Sequence, residues 1–121
     1  MSSMVYYLII AAVAAFVGFR WISLRRVCRK IPNYLREGAV VIDVRSPEEF
    51  FAGHFAGSRN VPLNSLQSEV DSLSKEKRIL LCCASGSRSG MAARILKARG
   101  FQEVVNVGSW QNLSTYACQD N

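Results

Sequence analysis

Residues 78–88 read RILLCCASGSR, and the fold turns on this stretch. Its first six positions form a short apolar run that suits a buried strand. Ala84, Ser85, Gly86 and Ser87 then interrupt any regular pattern, which is a turn signal. Beyond Arg88, Met91, Ile95 and Ala98 recur at helical spacing and Gly100 supplies a stop, which predicts a helix over 89–99. Cys83 therefore stands at a strand end, at the mouth of a tight loop that leads into a helix. Its neighbour Cys82 must point to the opposite face of the strand, into apolar packing.

Working outward, the same alternation repeats. Residues 39–44, AVVIDV, form a second short run rich in β-branched side chains, hence another buried strand. Ahead of it, residues 31–36 read as a short helix closed by Gly38. After it, Ser46, Pro47 and Glu49 carry the signature of a helix start with a capping box. Leu66, Val70 and Leu73 mark one helical face, and residues 104–107 a last strand. Strands alternating with helices make an α/β fold, a parallel sheet flanked by helices. In such sheets ligands lie beyond the carboxyl ends of the strands, which again singles out the loop after Cys83.

That loop is suited to holding a sulfur anion. A helix N-terminus presents free N–H groups and a positive partial charge, and both lower a thiol pKa. Gly86 allows the loop to turn several N–H groups inward. Arg88 adds a full charge expected to face an anionic donor. A cysteine activated in this way needs no histidine base.

CASGSRSG, residues 83–90, resembles the active-site loop of the rhodanese family. Upstream, DVRSPEEFFAGHFAGSRNVP, residues 43–62, resembles the family's other signature at Asp43, Arg45, Glu49, Phe50, Gly53, His54, Gly57, Asn60, Val61 and Pro62. Gly100-Phe101 and residues 104–108 resemble its closing pattern. The likeness covers roughly residues 31–113. Two departures stand out: Gly108-Ser109 where the family often has two glycines, and Ala84 where it often has a larger basic residue.

The resemblance implies a sulfurtransferase with Cys83 as nucleophile. Ala84, Ser85, Gly86, Ser87 and Arg88 would bind the substrate, and Asp43, Arg45 and Ser89 would support the loops. A small anionic donor, thiosulfate or a persulfide, would leave its sulfane sulfur on Cys83. A thiol, cyanide or protein-cysteine acceptor would then remove it. No cofactor is implied.

Residues 1–19, MSSMVYYLIIAAVAAFVGF, contain no charged side chain. A span needs about 20 apolar residues, with Arg20 able to snorkel. Tyr6, Tyr7 and Trp21 lie near the ends, where interfacial aromatics are favoured. A cleaved signal peptide would need basic residues before the apolar run, whereas here they follow it. The expected division is 1–24, a transmembrane anchor with its basic juxtamembrane segment, and 25–121, the rhodanese-like domain. The anchor would cross the inner or plasma membrane once. The cluster Arg20, Arg25, Arg26, Arg29 and Lys30 would keep the domain on the cytoplasmic side.

That cluster also accounts for most of the formal net charge of +6. It points to lipid as a partner rather than nucleic acid, since no basic patch interleaves with aromatic residues. Cys28, Cys82, Cys83 and Cys118 lack the paired spacing of a zinc site, so no metal is expected. Cys118 is expected to be inert. Cys28 beside the basic cluster reads as a plain interfacial residue, with lipidation as the alternative, and Cys82 as a core residue, with a resolving role as the alternative. His54 reads as structural, and Trp110 as either lining the site or packing.

Two other functions compete. Cysteine phosphatases and arsenate reductases also set a Cys loop before a helix, but with five residues between Cys and Arg. Here there are four, which shrinks the ring of N–H donors, so a tetrahedral phosphate fits less well than a single sulfur. An inactive membrane-tethered adaptor is the second, against which Cys83, Gly86 and Arg88 all argue.

Overall fold

The computed structural model describes residues 2–117. Four strands form one parallel sheet in the order β2-β1-β3-β4, where β1 is Val40–Asp43, β2 Arg59–Asn60, β3 Ile79–Cys83 and β4 Val104–Ser109. Strand β3 is buried along its whole length because helices cover both faces of the sheet. The fold is thus α/β, with the parallel sheet flanked by helices. Cys118 lies outside the described residues.

Among the described residues the α-helices are α1 Ser2–Arg29, α2 Ile31–Arg36, α3 Pro47–Ala52, α4 Leu66–Glu69, α5 Ser87–Ala98 and α6 Gln111–Ala117. Alternation along β3 divides the core. Ile79, Leu81 and Cys83 face α4, the turn after it and α5, against Leu66, Val70, Ala92 and Leu96. Leu80 and Cys82 face the other way, against Cys28 of α1, Ile31 of α2 and Leu113 of α6. The expected separation of the two cysteines is therefore present.

Helix α3 starts as its sequence predicts. The Ser46 hydroxyl accepts from the Glu49 N–H, and the Glu49 carboxylate accepts from the Ser46 N–H. Two expectations differ. Leu66, Val70 and Leu73 do not share one continuous helix: α4 is a single turn between 3-10 turns at Leu63–Ser65 and Val70–Ser72. Ser68 and Ser72 donate their hydroxyls to the carbonyls three residues back, at 2.8 and 2.7 Å, and the chain tightens there. Second, α5 begins at Ser87 and buries Ser89, Ala92, Ala93 and Leu96, whereas Met91 is exposed. The inward face is set by Ser89, which is tied to the loop and to β4, and small residues let the helix sit close to the sheet.

Helix α1 is long and apolar enough to cross a membrane. Its large apolar side chains from Met4 to Phe19 are exposed. Only its last turns meet the domain, where Cys28 is buried. The helix runs unbroken through residue 24, the expected boundary, to Arg29.

Candidate active site

Two backbone hydrogen bonds fix the end of β3. The Val44 N–H donates to the Cys82 carbonyl at 3.0 Å, and the Trp110 N–H to the Cys83 carbonyl at 2.9 Å. The loop then reverses through Gly86, whose φ of +104° lies in the left-handed region. A side chain is excluded there twice over. The conformation favours glycine, and a Cβ would stand 3.2 Å from the Gly108 Cα.

This turn aims backbone donors at one atom. The Gly86 N–H donates to Cys83 Sγ at 2.9 Å, and the Ser89 hydroxyl lies 3.4 Å from it. Cys83 is fully buried beneath the loop rather than standing open at its mouth, because residues 84–86 fold over the sulfur. Burial by itself raises a thiol pKa. Hydrogen bonds from the Ser89 hydroxyl and from the N–H groups of Ser89, Gly86 and Ser85 outweigh that, and the Cys83 thiol falls below its ordinary value.

Ser89 Oγ also lies 2.7 Å from Asn106 Oδ1 and 3.1 Å from the Gly86 carbonyl. A hydroxyl has one proton to give. With Cys83 as a thiol, that proton satisfies Asn106 and the S–H donates to Ser89. With Cys83 as a thiolate, the Ser89 proton turns to the sulfur. Asn106 itself is oriented by two further bonds: its amide donates to the Gly86 carbonyl at 3.1 Å, and its Oδ1 accepts from the Gly108 N–H at 2.9 Å. Asn106 therefore clamps the loop to β4. A shift in the β3–β4 pairing leaves Val107 as an extra residue, with Leu81 opposite Asn106 and Cys82 opposite Gly108. The sequence reading missed Asn106. Its signal was a lone polar side chain inside VVNVG.

Arg88 departs from expectation. Its Nη1 and Nη2 donate in parallel to Glu49 Oε1 and Oε2, at 2.7 and 3.0 Å. A bidentate, charge-assisted pair of this kind outcompetes an open loop for the guanidinium. The Arg88 guanidinium, helped by the Ser46 N–H, holds the Glu49 carboxyl down at about 2. The pair locks the start of α5 to the start of α3.

Asp43 and Arg45 brace the neighbouring strand end. Arg45 donates to Asp43 through its backbone N–H at 3.0 Å and through its side chain at 2.8–3.0 Å, and also to the Gly53 carbonyl at 2.7 Å. Trp110 packs, its ring lying 4.8 Å beneath the Arg45 guanidinium. His54 stacks on Phe50 at 3.8 Å. Cys82 has no ring of donors: burial, then the charge of Asp43, pushes its thiol far upward. Ala84, Ser85 and Ser87 are exposed at the loop surface. Among the described residues no cluster of His, Cys, Asp or Glu is arranged to hold a metal.

A cavity of about 540 Å³ opens beside the loop at Ser85, Gly86 and Ser87. Its opposite wall is the last part of α1, including Arg20, Trp21, Leu24 and Val27.

Comparison with known proteins adds to this geometry. A family model described as "Rhodanese-like domain" matches residues 30–115. "Uncharacterized protein YqhL" of Bacillus subtilis is 33% identical over 111 residues, covering 88% of each chain. "Thiosulfate sulfurtransferase GlpE" of Pseudomonas putida is 36% identical over 72 residues, 60% of this chain and 66% of that protein. Among solved structures, "rhodanese with anions from E. coli" superposes with a TM-score of 0.59 at 30% identity, over 62% of this chain and 91% of its own.

Proposed function

The chain belongs to the rhodanese-like domain family, and on that premise we propose that it is a membrane-anchored sulfurtransferase that carries sulfane sulfur as a Cys83 persulfide. The observation that carries this reading is the Gly86 N–H held 2.9 Å from Cys83 Sγ, with the Ser89 hydroxyl at 3.4 Å. Such donors stabilise a sulfur anion without a neighbouring base.

The Cys83 thiolate attacks the outer sulfur of thiosulfate. The new S–S bond forms as the old one breaks, and sulfite leaves with the electron pair. An acceptor, cyanide or a thiolate, then attacks the outer sulfur of the persulfide. Thiocyanate or a new persulfide departs, and Cys83 returns as thiolate. Backbone donors of the loop hold the charge at each stage. Asp43 and Arg45 keep the strand end rigid, and Ser89 supplies the switchable proton. Arg88, spent on Glu49, fixes the loop rather than clamping an oxyanion, which disfavours phosphatase or arsenate-reductase chemistry.

Intact mass after incubation with thiosulfate tests the reading. The protein should gain one sulfur atom, lost again on addition of cyanide. No gain would favour the inactive adaptor, and hydrolysis of a phosphate ester would favour the phosphatase.

The anchor is α1, with its apolar stretch in the bilayer, the basic cluster at the cytoplasmic surface, and the domain in the cytoplasm. Protease added to intact cells should spare the domain and digest it only after lysis. A soluble form lacking residues 1–19 would show cleavage instead.

A further inference from the structure

Near the cradle, positive side chains are engaged, with one exception. Arg88 is held by Glu49 and Arg45 by Asp43, and position 84 is an alanine. The cavity beside Gly86 has one charged residue in its lining, Arg20 of α1. Its guanidinium lies 5.8 Å from the Phe16 ring, and it pairs with no carboxylate among the described residues.

Apart from Ser23, the rest of the α1 wall is apolar: Trp21, Leu24 and Val27. It is also fixed in place. Leu24 Cδ1 comes within 3.4 Å of where a Cβ on Gly108 would stand, so α1 lies on the turn that approaches Gly86. One turn further, Cys28 is buried with its thiol 3.8 Å from the Val107 carbonyl. A single cation next to an apolar strip, both facing a loop that holds a nucleophilic sulfur, describes a ligand with one negative charge and a hydrocarbon part.

We propose that the end of α1 from Arg20 to Val27 is the donor-specificity wall of the site, selecting a monoanionic sulfane-sulfur donor that bears an apolar tail, with an alkyl thiosulfonate as the simplest member of the class. This rests on the sulfurtransferase reading above. The Cys83 thiolate attacks the outer sulfur of the thiosulfonate and forms the persulfide bond. The S–SO2 bond breaks, and its electron pair leaves with the alkyl sulfinate. Arg20 faces the charge that collects on that sulfinate, and the tail lies along Trp21, Leu24 and Val27. The donor rather than the acceptor fits this wall, because only the donor releases an anion that needs a cation. Thiosulfate has no tail and engages Arg20 alone.

The full-length protein in nanodiscs should be assayed for thiocyanate formation from methane-, butane- and hexanethiosulfonate, with thiosulfate alongside and cyanide as acceptor. In the unsubstituted protein kcat/KM should rise on the order of twofold per added methylene, about half of what complete burial allows. Trp21→Ser, at a position 58% exposed, and Leu24→Ala should each flatten that slope. Arg20→Gln should lower kcat/KM for every donor about tenfold and keep the slope. Partition of the longer tails into lipid is common to all variants, so the change in slope is the readout. A flat series in the unsubstituted protein, or an unchanged slope in both Trp21→Ser and Leu24→Ala, overturns the wall. No thiocyanate from any donor overturns the sulfurtransferase reading itself.

Discussion

The two faces of β3 carry adjacent cysteines, both wholly buried, and treat them in opposite ways. On the α1–α2–α6 face, Cys82 meets apolar side chains and a nearby carboxylate, and its thiol is pushed up. On the α5 face, Cys83 meets the N–H groups of a loop and the Ser89 hydroxyl, and its thiol is drawn down. Depth in the protein is the same. The direction of the surrounding dipoles differs, and under the proposed mechanism that selects Cys83 as the sulfur that reacts.

The sharpest way to break the comparison is to remove the proposed nucleophile. Cys83→Ser should abolish sulfur uptake from thiosulfate, read by intact mass, while the far-ultraviolet circular dichroism stays native. Labelling of Cys82 by iodoacetamide ahead of Cys83 at neutral pH would reverse the assignment.

Next in size is the loop that aims the donors. Gly86→Ala forces a Cβ to 3.2 Å from the Gly108 Cα at a φ of +104°. The loop must open, and persulfide formation should fall on the order of a hundredfold, since strain and a lost donor together approach about 3 kcal/mol. Single-turnover rates would show it, and a rate near that of the unsubstituted protein would mean the N–H array is dispensable.

The pH profile sharpens the contrast. Because the folded Cys83 pKa is depressed, thiolate persists below the free-thiol value of about 8.5. The rate of alkylation of Cys83 should therefore reach half its plateau below that pH. The stabilisation tied to this charge is full above the free-thiol pKa and fades as pH falls through the folded one. Ser89→Ala should move the midpoint upward, and an unmoved midpoint would remove Ser89 from the account.

A smaller effect is expected at the Glu49–Arg88 pair. Glu49→Gln and Arg88→Ala should each slow turnover roughly threefold to tenfold, and the double variant should be little worse than either, since they act as one unit. The Glu49 contribution is complete above its ordinary pKa of about 4.3 and is lost as pH falls toward about 2. Additive losses would restore an independent donor-binding role to Arg88. Smallest for chemistry is Cys82→Ala. It should cost on the order of 1 kcal/mol in a urea melt and leave turnover nearly intact.

Much of this architecture is legible in sequence because it is local. The apolar runs at residues 40–43 and 79–83, the Ser46–Glu49 capping box and the Cys83–Gly86 turn each announce themselves within a few residues. What stayed hidden depends on register or on distant partners. Asn106 reaches Gly86 only because the β3–β4 pairing skips Val107. Arg88 meets Glu49 across 39 positions of chain. Met91, Ile95 and Ala98 share a helical face, but Ser89 rotates α5 to bury a different one. The serines after Leu66 broke a helix that the apolar spacing favours.

The unbroken helix Ser2–Arg29 has one more consequence. At 28 residues it is about 42 Å long, longer than a hydrocarbon core of about 30 Å, and only Lys30 separates it from α2. A domain on such a stalk has no swinging tether. Under the proposed anchoring, its heading and its height above the bilayer would be set by the helix, and its encounters with other membrane proteins would become a search in two dimensions. A partner would then have to bring its own sulfur to a fixed altitude, a dozen ångströms or so above the lipid, so the stalk would act as a ruler.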